Sequence, residues 1–378
     1  MNTIKIFVSK SILIIVLIIC SIVYCKGQKN IEIRGWNILS DSESDANLTI
    51  DAARSYNINH LQLSHNLVMD LREMREKSKR DLVNRLISRA HEAGIEEVIA
   101  WDHALYDLNY YPDKFKAGPF GTLNFDDKEF WDWLKTDYRE MMGLIPDIDG
   151  LVLTFIETGA RSEDQYSINL KTAEEKLAAV VDAIASVIVN ELGKKLYIRT
   201  FAYIHQEYAM TIGCISHIKN NNIIIMMKET PHDFFLTHPN DGYAGMINRP
   251  TIIEFDCGNE YNGQGVIANT WPEHIIRRWS DFVKRANIVG YVARTDRYGD
   301  TRIVGTPNEI LLYALKKSTD DQSLSVDDIY RSFISENYGE KFPKGQWNWI
   351  EDASRAKEYY KKITQTGWKE YGDVVFEN

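Results

Sequence analysis

The residues of this chain that are most able to do chemistry are charged side chains that follow apolar runs. Lys228 ends the run "NIIIMMK", and His232 and Asp233 come shortly after it in "MMKETPHDFF". Glu157 ends the run "GLVLTFIE", where a carboxylate is energetically costly unless it is paired or used. Glu260 follows the run "TIIEFDC", within the Gly- and Asn-rich segment "CGNEYNGQG". Carboxylates and cations at such positions predict a catalytic cleft.

Aromatic and basic side chains stand at the corresponding positions of other apolar runs. Carboxylates beside aromatic platforms suit hydrolysis of a glycosidic bond, in which one acid protonates the leaving oxygen and another activates water or attacks the sugar. Each candidate also has a structural alternative: Asp233 could cap a helix or turn that begins at "DFF", and a tryptophan commonly packs in a core. The candidates for substrate binding are Trp36, His65, Trp101, Arg199, Lys228 and His232.

Eight short apolar or alternating runs alternate with longer amphipathic segments, and this order predicts parallel βαβ units. The segments "RDLVNRLISRAHEAG" and "AEEKLAAVVDAIASVIVNELG" end on Gly94 and Gly193, where a glycine C-cap of a helix is expected. The number and length of the units predict an α/β fold, a (β/α)8 TIM barrel, with a doubly wound open sheet as the alternative. The predicted strands are residues 31–39, 60–65, 96–102, 150–157, 195–203, 222–228, 251–257 and 288–296.

A barrel would bring the candidate residues together, because chemistry in this fold takes place at the C-terminal ends of the strands and in the loops that follow. The barrel is predicted to span residues 29–317 as one compact domain. Residues 318–378 are predicted to form a short C-terminal helical extension packed on the barrel, which includes the aromatic-rich segment "WNWIEDASRAKEYYKKI".

The overall composition narrows the classes of function. The chain has 378 residues, a net charge of −10 and 44% hydrophobic residues, which is ordinary for a globular protein with a large core. The acidic balance argues against nucleic acid as a partner but leaves an acidic small substrate open. The sequence has no CxxC, HExxH, calcium-loop, P-loop or dinucleotide-binding pattern, so it predicts neither a metal site nor a cofactor.

Residues 1–28 have the pattern of a targeting segment. Lys5 and Lys10 form a positive region, and the apolar run at residues 12–24 is shorter than the roughly 20 residues of a membrane span. The segment therefore predicts export to the periplasm or the outer surface, with an uncleaved membrane anchor as the alternative. Cys20 and Cys25 are candidates for lipid attachment, which would tether the exported chain to a membrane.

At the candidate residues the chain resembles the α-glucuronidases of glycoside hydrolase family 67. The clearest similarity runs from "MMKETPHDFF" through "THPNDGYAGMINRPTIIEFDCGNEYNGQG", where a lysine precedes one acid and a second acid follows a strand of "IIEF" type. "LIPDIDGLVLTFIETG" resembles the segment with the family's catalytic acid, "YIRTFAY" the strand with its pocket arginine, and "EIRGWNIL" its first barrel strand. The similarity covers about residues 30–317.

The resemblance implies a role for each matched residue. Glu157 would be the general acid, and Asp233 and Glu260 would together position and deprotonate the water. Arg199 and Lys228 would meet the carboxylate or hydroxyl groups of the sugar. The family inverts anomeric configuration, which implies acid and base carboxyl groups about 6.5–9.5 Å apart. We also expect a raised pKa for Glu157, since a general acid must hold its proton near neutral pH.

The expected partner is an oligosaccharide from plant or algal material that contains a uronic acid or a related sugar. Trp36 would stack on a face of that sugar. The chain departs from the family at Leu153 and Thr154, which replace a lysine, and at His232, which replaces an apolar residue. The alternatives are a non-catalytic sugar-binding barrel, a uronate lyase, or a retaining glycosidase with two carboxyl groups about 5 Å apart.

Overall fold

Eight parallel strands close into a barrel in the computed structural model, which describes residues 29–266, 269–299 and 301–338. Each strand pairs with the next one along the chain, and β1 pairs with β8 to complete the ring. The predicted (β/α)8 barrel is therefore confirmed, and the open sheet is wrong. The strands are β1 Ile33–Ile38, β2 His60–Leu63, β3 Glu97–His103, β4 Gly150–Thr154, β5 Lys195–Arg199, β6 Ile224–Lys228, β7 Thr251–Phe255 and β8 Ile288–Arg294.

Side chains alternate along each strand between the barrel interior and the surrounding helices, because successive residues of a strand point to opposite faces. Ala100, Leu151 and Ile253 belong to the large outer core, which also contains buried residues of the helices. Their neighbours along the same strands form a separate cluster inside the barrel. This interior cluster consists of Ile99, Trp101, Val152, Tyr197, Met226, Ile252 and Val292, all fully buried.

The helices around the barrel have clear signals at their ends. Thr172 forms a capping box with Glu175 at the start of the helix after β4, and Asp127 caps the helix after β3. Gly94 and Gly193 adopt φ angles of +90° and +65°, as a glycine C-cap requires. The helices are α1 Glu43–Ala53, α2 Lys77–Glu92, α3 Lys128–Leu144, α4 Ala173–Ala185, α5 His205–Gly213, α6 Pro272–Phe282, α7 Ile310–Asp320 and α8 Val326–Tyr338.

The connection between β6 and β7 departs from the strand–helix alternation. Between these strands the chain forms only one 3₁₀ turn, Gly242–Gly245. The rest of the connection has no helix or strand, and the part that directly follows the C-terminal end of β6 contains Asp233. A strand that leads directly into a helix contributes only a short loop to the site. The connection after β6 contributes a longer one.

Helix α8 follows α7, the helix after β8, and packs against α6 and α7. Its residues Ile329, Tyr330 and Phe333 are buried in the same outer core as the barrel helices. Helix α7 continues to Asp320, beyond the predicted boundary at residue 317. The predicted targeting segment at residues 1–28 and the segment "WNWIEDASRAKEYYKKI" lie outside the described residues. Within the described residues, no helix is long and apolar enough to span a bilayer.

Candidate active site

The loops that follow the strands at the C-terminal end of the barrel hold strained backbone conformations. Of the seven non-glycine residues with positive φ in the described part of the chain, six lie in these loops. Such conformations cost energy, and they collect at functional sites where the surrounding structure enforces them. The six residues are His65, Leu105, Phe120, Asn259, Gln264 and Tyr298.

Glu157 lies just beyond β4, and its side chain is 35% exposed. Its Oε1 accepts a hydrogen bond of 2.5 Å from the hydroxyl of Tyr203, and its Oε2 lies 3.5 Å from Nε2 of His103. Burial raises the pKa of Glu157, but these two contacts and the charge of Arg199 outweigh it and lower the pKa to about 2. The expected raised pKa is therefore wrong, because Glu157 is ionised at neutral pH when no ligand is bound.

A chain of ion pairs crosses the C-terminal end of the barrel. Glu254 is fully buried on β7 and accepts hydrogen bonds from Nε of Arg199 at 2.7 Å and from Nε of Arg294 at 2.9 Å. Arg294 also donates to Glu260 at 2.8 Å, and Arg297 donates to the second oxygen of Glu260. Two buried guanidinium nitrogens, Nη2 of Arg199 and Nη1 of Arg297, find no hydrogen-bond partner among the described residues. Burial leaves these two N–H groups without a hydrogen bond in the unliganded protein.

Lys228 and Asp233 form a second ion pair, with 2.5 Å between Nζ and Oδ1. The ammonium group also lies 3.9 Å from the ring centroid of Phe201 and 4.1 Å from that of Phe234. Burial and the charge of Arg199 lower the pKa of Lys228 to about 8, so most of it is charged at neutral pH. Burial raises the pKa of Asp233, but Lys228 and a hydrogen bond from Tyr261 outweigh this and lower it to about 2. Asp233 is therefore an ionised carboxylate held from two sides.

The three predicted catalytic carboxylates border one cleft, and Tyr203 marks the point where they meet. After burial and the hydrogen bond to Glu157, the charges of Glu157, Asp233 and Glu260 all raise the pKa of the Tyr203 hydroxyl. The charge of Glu260 also raises the pKa of Tyr261, which donates its hydroxyl hydrogen to Asp233. The three carboxylates therefore lie within electrostatic range of one phenol at the C-terminal end of the barrel.

Neither tryptophan of the predicted substrate-binding set presents a ring to this cleft. Trp36 is 1% exposed and packs in the outer core, with its ring centroid 5.0 Å from that of Tyr56. Trp101 is fully buried inside the barrel, where it donates to Gln62 at 2.9 Å and lies under the guanidinium of Arg199. The substrate-binding roles of Trp36 and Trp101 are therefore corrected. The alternation of side chains along β1 turns Trp36 towards the helices. Trp101 belongs to the interior cluster of the barrel, where the guanidinium of Arg199 covers its ring.

The two predicted histidines occupy different surroundings. His65 is 7% exposed and has its Nδ1 2.9 Å from the hydroxyl of Ser64. Burial and the positive charges of Arg294 and Arg199 lower the pKa of His65 well below its usual value, so this ring is neutral among the arginines of the site. His232 is half-buried in the loop after β6, and its ring centroid lies 6.3 Å from that of Tyr208 on α5. The structure thus brings His65 to the cationic side of the cleft, whereas His232 packs towards a helix.

Several residues of the site were not among the candidates from the sequence. A signal for Glu254 was present, because an acid within the apolar strand "TIIEF" is costly unless it is paired. The contacts of the phenols and of Arg297 depend on how three loops approach one another, which local sequence does not specify. The added residues are Tyr203, Glu254, Tyr261 and Arg297.

The groups that meet in the cleft are carboxylates, guanidinium groups, an ammonium group and phenols. No set of three or more His, Cys, Asp or Glu side chains within the described residues is arranged to hold a metal ion. Cys214 and Cys257 are both buried free thiols. The side chains at hand can donate or accept protons and can bind an anionic or hydroxylated ligand.

Comparison with solved structures finds the same fold in glycoside hydrolases. A mutant of Thermobaculum terrenum O-GlcNAc hydrolase aligns with 83% of this chain at a TM-score of 0.55 and 12% identity, over 64% of its own length. A GH138 enzyme targeting pectin rhamnogalacturonan II aligns with 88% of this chain at a TM-score of 0.58 and 10% identity, over 43% of its length. CpGH84D aligns with 81% of this chain at a TM-score of 0.53 and 11% identity, over 48% of its length.

These similarities show the fold and leave the activity to be argued from the cleft. No model of a known protein family matches the chain, and no curated protein matches its sequence. The chain spans less than two thirds of the length of each of the three structures. It is a (β/α)8 barrel of the kind that these glycoside hydrolases contain, with a cleft of acids and cations at the end where such barrels hold their active sites.

Proposed function

We propose that this protein is a glycoside hydrolase similar to α-glucuronidases, which cleaves the glycosidic bond of a uronic acid or a related sugar in a plant or algal oligosaccharide. The observation that supports this proposal best is the position of Glu157, Asp233 and Glu260 just beyond β4, β6 and β7, at the C-terminal end of one closed barrel. Hydrolysis of a glycoside needs one carboxyl group to protonate the leaving oxygen and another to deprotonate or replace the attacking water. The cleft supplies carboxylates for both tasks.

In the inverting mechanism that we propose, Glu157 is the general acid and Asp233, with Glu260, positions and deprotonates the water. Asp233 suits this role because its pKa of about 2 leaves it ionised at neutral pH. The role of Glu157 requires a proton that it does not hold in the unliganded protein, where its pKa is also about 2. Substrate binding must therefore raise the pKa of Glu157.

The charge balance of the site explains why an acidic sugar would have this effect. Four positive charges come from Arg199, Lys228, Arg294 and Arg297. Four negative charges come from Glu157, Asp233, Glu254 and Glu260. A substrate carboxylate entering this balanced set adds a negative charge, and a nearby negative charge raises the pKa of a carboxyl group. The substrate would thus promote protonation of its own general acid. A neutral sugar lacks this effect, which supports an acidic substrate.

The cations also supply hydrogen-bond donors for such a substrate. Nη2 of Arg199 and Nη1 of Arg297 are buried and lack partners among the described residues, so a ligand oxygen that displaced the side chains covering them would gain a hydrogen bond from each. Lys228 is 4% exposed and already paired with Asp233, so it contributes charge more than direct contact. With Trp36 and Trp101 buried, stacking on the sugar falls to Tyr203, which is 54% exposed beside Glu157.

The proposed setting is outside the cytoplasm, in the periplasm or on the outer surface. This part of the proposal rests on the positive and apolar pattern of residues 1–28, with Cys20 or Cys25 as candidate lipid-attachment sites. An oligosaccharide is the proposed partner, and the net charge of −10 argues against nucleic acid.

Hydrolysis of uronic-acid-capped oligosaccharides, followed by proton NMR of the released sugar, tests the proposal. We expect the first product to have inverted anomeric configuration and turnover to fall by about 10²-fold or more in Glu157→Gln, which cannot donate a carboxylic proton. Glu129→Gln is the matched control, since Glu129 is 76% exposed on α3, where it pairs with Lys114. A folded protein that binds these sugars without turnover would instead be a non-catalytic sugar-binding barrel.

A retaining glycosidase is the second candidate, and the ionised state of Glu157 favours it. A carboxylate with a pKa of about 2 is already in the form that a nucleophile needs. The same NMR experiment separates the two mechanisms, because a retaining enzyme first releases the sugar with its original anomeric configuration. Glu157→Gln would abolish turnover in both cases, so the product anomer decides between them.

A further inference from the structure

His103 lies fully buried at the end of β3, with one ring nitrogen facing the protein backbone and the other facing Glu157. Its Nδ1 is 2.6 Å from the carbonyl oxygen of Met69, which also accepts the backbone N–H of His103 at 3.1 Å. A carbonyl oxygen can only accept a hydrogen bond, so Nδ1 must bear a hydrogen. The backbone thereby fixes the tautomer, as a second hydrogen bond commonly does for a functional histidine.

With Nδ1–H committed, only two protonation states allow a favourable contact between Nε2 and Glu157. Either Nε2 also bears a hydrogen and faces a carboxylate, or Nε2 has a lone pair and faces a carboxylic acid. The two atoms lie 3.5 Å apart, at the long limit of a hydrogen bond, and such contacts often tighten once substrate is bound. In both states a single proton lies between the two residues.

We propose that His103 is the positioning residue that holds this single proton beside Glu157 until the substrate draws it onto the carboxyl group. This inference rests on the proposed function of Glu157 as general acid. The proton moves from Nε2 to Glu157 and then to the glycosidic oxygen, while the bond between that oxygen and the anomeric carbon breaks with its electron pair going to the oxygen. Water forms the new bond to carbon and gives its proton to the acid pair of Asp233 and Glu260. Solvent then returns a proton to Glu157 and His103 and takes one from the acid pair.

The surroundings of His103 restrict which other groups can affect this proton. The ring centroids of His65 and Tyr106 lie 6.5 Å and 6.0 Å from that of His103. Asp102, its neighbour on β3, has its carboxylate on the outer face, where it contacts the backbone N–H of Leu71 and the hydroxyl of Tyr138. The charged and titratable groups around the pair include His65, Tyr106, Tyr203 and Arg199, together with Arg72, whose guanidinium donates to the carbonyl oxygen of His103 at 3.3 Å.

The experiment uses two variants that remove Nε2 of His103 in different ways. His103→Asn has an amide nitrogen that can replace Nδ1 towards Met69 and has nothing in place of Nε2. His103→Gln reaches further and can place an NH2 group near Glu157, but it cannot release a proton at any accessible pH. His91→Asn is the matched control, because Nδ1 of His91 also contacts a backbone carbonyl, that of Ile95, at the end of α2.

NMR of protein labelled with ¹³C in the glutamate carboxyl groups and ¹⁵N in the histidines gives the deciding measurement without substrate. We expect a hydrogen on Nδ1 of His103 in the wild type, and an upward shift of the Glu157 titration midpoint by about one pH unit or more in His103→Asn. His103→Gln should give a smaller shift, and His91→Asn none. An unchanged Glu157 midpoint in both His103 variants, or a hydrogen-free Nδ1 in the wild type, would overturn the proposal.

A hydrolysis assay then connects the shared proton to turnover. Methyl α-D-glucuronoside needs a proton on its leaving group, whereas 2,4-dinitrophenyl α-D-glucuronoside does not. We expect kcat/KM of His103→Asn to fall about 10- to 100-fold on the methyl compound and less than about threefold on the dinitrophenyl compound. Equal losses on both compounds would contradict the role in proton transfer. If the wild type cleaves neither compound, the proposed function fails, while the NMR titration still decides whether the two residues share a proton.

Discussion

Glu254 is the residue on which the arginines of the site depend. It is fully buried and accepts hydrogen bonds from Arg199 and Arg294 at once, so each of its oxygens compensates one buried guanidinium group. Removing one partner of a buried ion pair leaves an uncompensated charge, which costs far more than the pair itself contributes. Glu254 therefore maintains the position of both arginines as well as the charge balance of the cleft.

We predict that Glu254→Gln lowers the free energy of unfolding by about 3–5 kcal/mol, because it leaves the buried guanidinium of Arg199 without its ion-pair partner. Urea unfolding followed by tryptophan fluorescence would measure this change. Glu43→Gln is the control: Glu43 binds Arg85 through both oxygens at the surface, and its loss should have no measurable effect. Equal effects of the two substitutions would show that burial does not set the strength of the Glu254 contacts.

Asp256, just after β7, should make the protein less stable as the pH rises. Its Oδ2 accepts the backbone N–H of Glu260, and its Oδ1 lacks a partner among the described residues. Burial outweighs the attraction of Arg294 and, together with the charge of Glu260, raises the pKa of Asp256 to about 7. An unfolded chain loses this proton near pH 4, at about the reference pKa of aspartate, while the folded chain keeps it. The folded state therefore loses stability relative to the unfolded state between about pH 4 and 7.

We predict that Asp256→Asn removes this loss, so that its melting temperature relative to wild type increases from pH 4 to pH 8. Thermal unfolding across this range measures the difference. Asp126→Asn should keep a nearly constant difference from wild type over this range, because hydrogen bonds lower the pKa of Asp126 below its usual value near 4, so its stability effect changes only at lower pH. Parallel melting curves for wild type and Asp256→Asn would mean that Asp256 is ionised throughout this range.

At the scale of elements, the turns that end the helices contribute to stability through backbone conformation alone. Gly193 follows the helical segment after β4 with φ of +65°, and an added Cβ would meet nothing within 4 Å. Gly143 lies inside α3 and likewise has open space around it. The two glycines therefore differ in backbone conformation and not in packing.

We predict opposite effects for the same substitution at these two glycines. Gly193→Ala should lower the free energy of unfolding by about 1 kcal/mol, because an L-residue is strained at positive φ. Gly143→Ala should raise it by up to about 1 kcal/mol, since alanine is the better helix former. Chemical unfolding of the two variants in parallel measures both changes. Effects of the same sign would show that packing, rather than backbone conformation, dominates at one of the sites.

The elements also show what the sequence could and could not predict. All eight strands were located, because short apolar runs separated by amphipathic segments specify the order and the number of units. The sequence was less informative about the face of the barrel, interior or exterior, on which each strand-end residue lies. Trp36 stands next to Asn37 in sequence, and the alternation of the strand buries the tryptophan against Tyr56 outside the barrel.

The pKa values of the site residues were harder to predict from the sequence than the fold was. An apolar strand end suggested a protonated Glu157, but Tyr203 and His103 lower its pKa from two other strand ends. These contacts join β3, β4 and β5, so they exist only once the barrel has closed. Local sequence gives the type of a side chain and its position along a strand, whereas the pKa depends on partners that are distant in the chain.

At the scale of the whole molecule, the closed barrel allows charges from separate strands to balance at one end. The site cations come from β5, β6, β8 and the loop after β8, and the site acids follow β4, β6 and β7 or lie on β7. No pair of neighbouring strands contains the full set. The response of the site to a ligand charge is therefore a property of the assembled barrel.

We predict that in His103→Asn binding of an acidic sugar takes up protons and that binding of a neutral sugar does not. A ligand carboxylate should raise the pKa of Glu157, and with no histidine to supply the proton, binding of glucuronic acid at pH 4 to 5 should take up as much as about one proton from solvent. Isothermal calorimetry in buffers with different ionisation enthalpies measures this number directly. Glucose is the neutral control, and Glu157→Gln should abolish the uptake seen with glucuronic acid. Binding of glucuronic acid without proton uptake would mean that its charge lies too far from Glu157 to activate it, and an acidic substrate would then lose its main physical support.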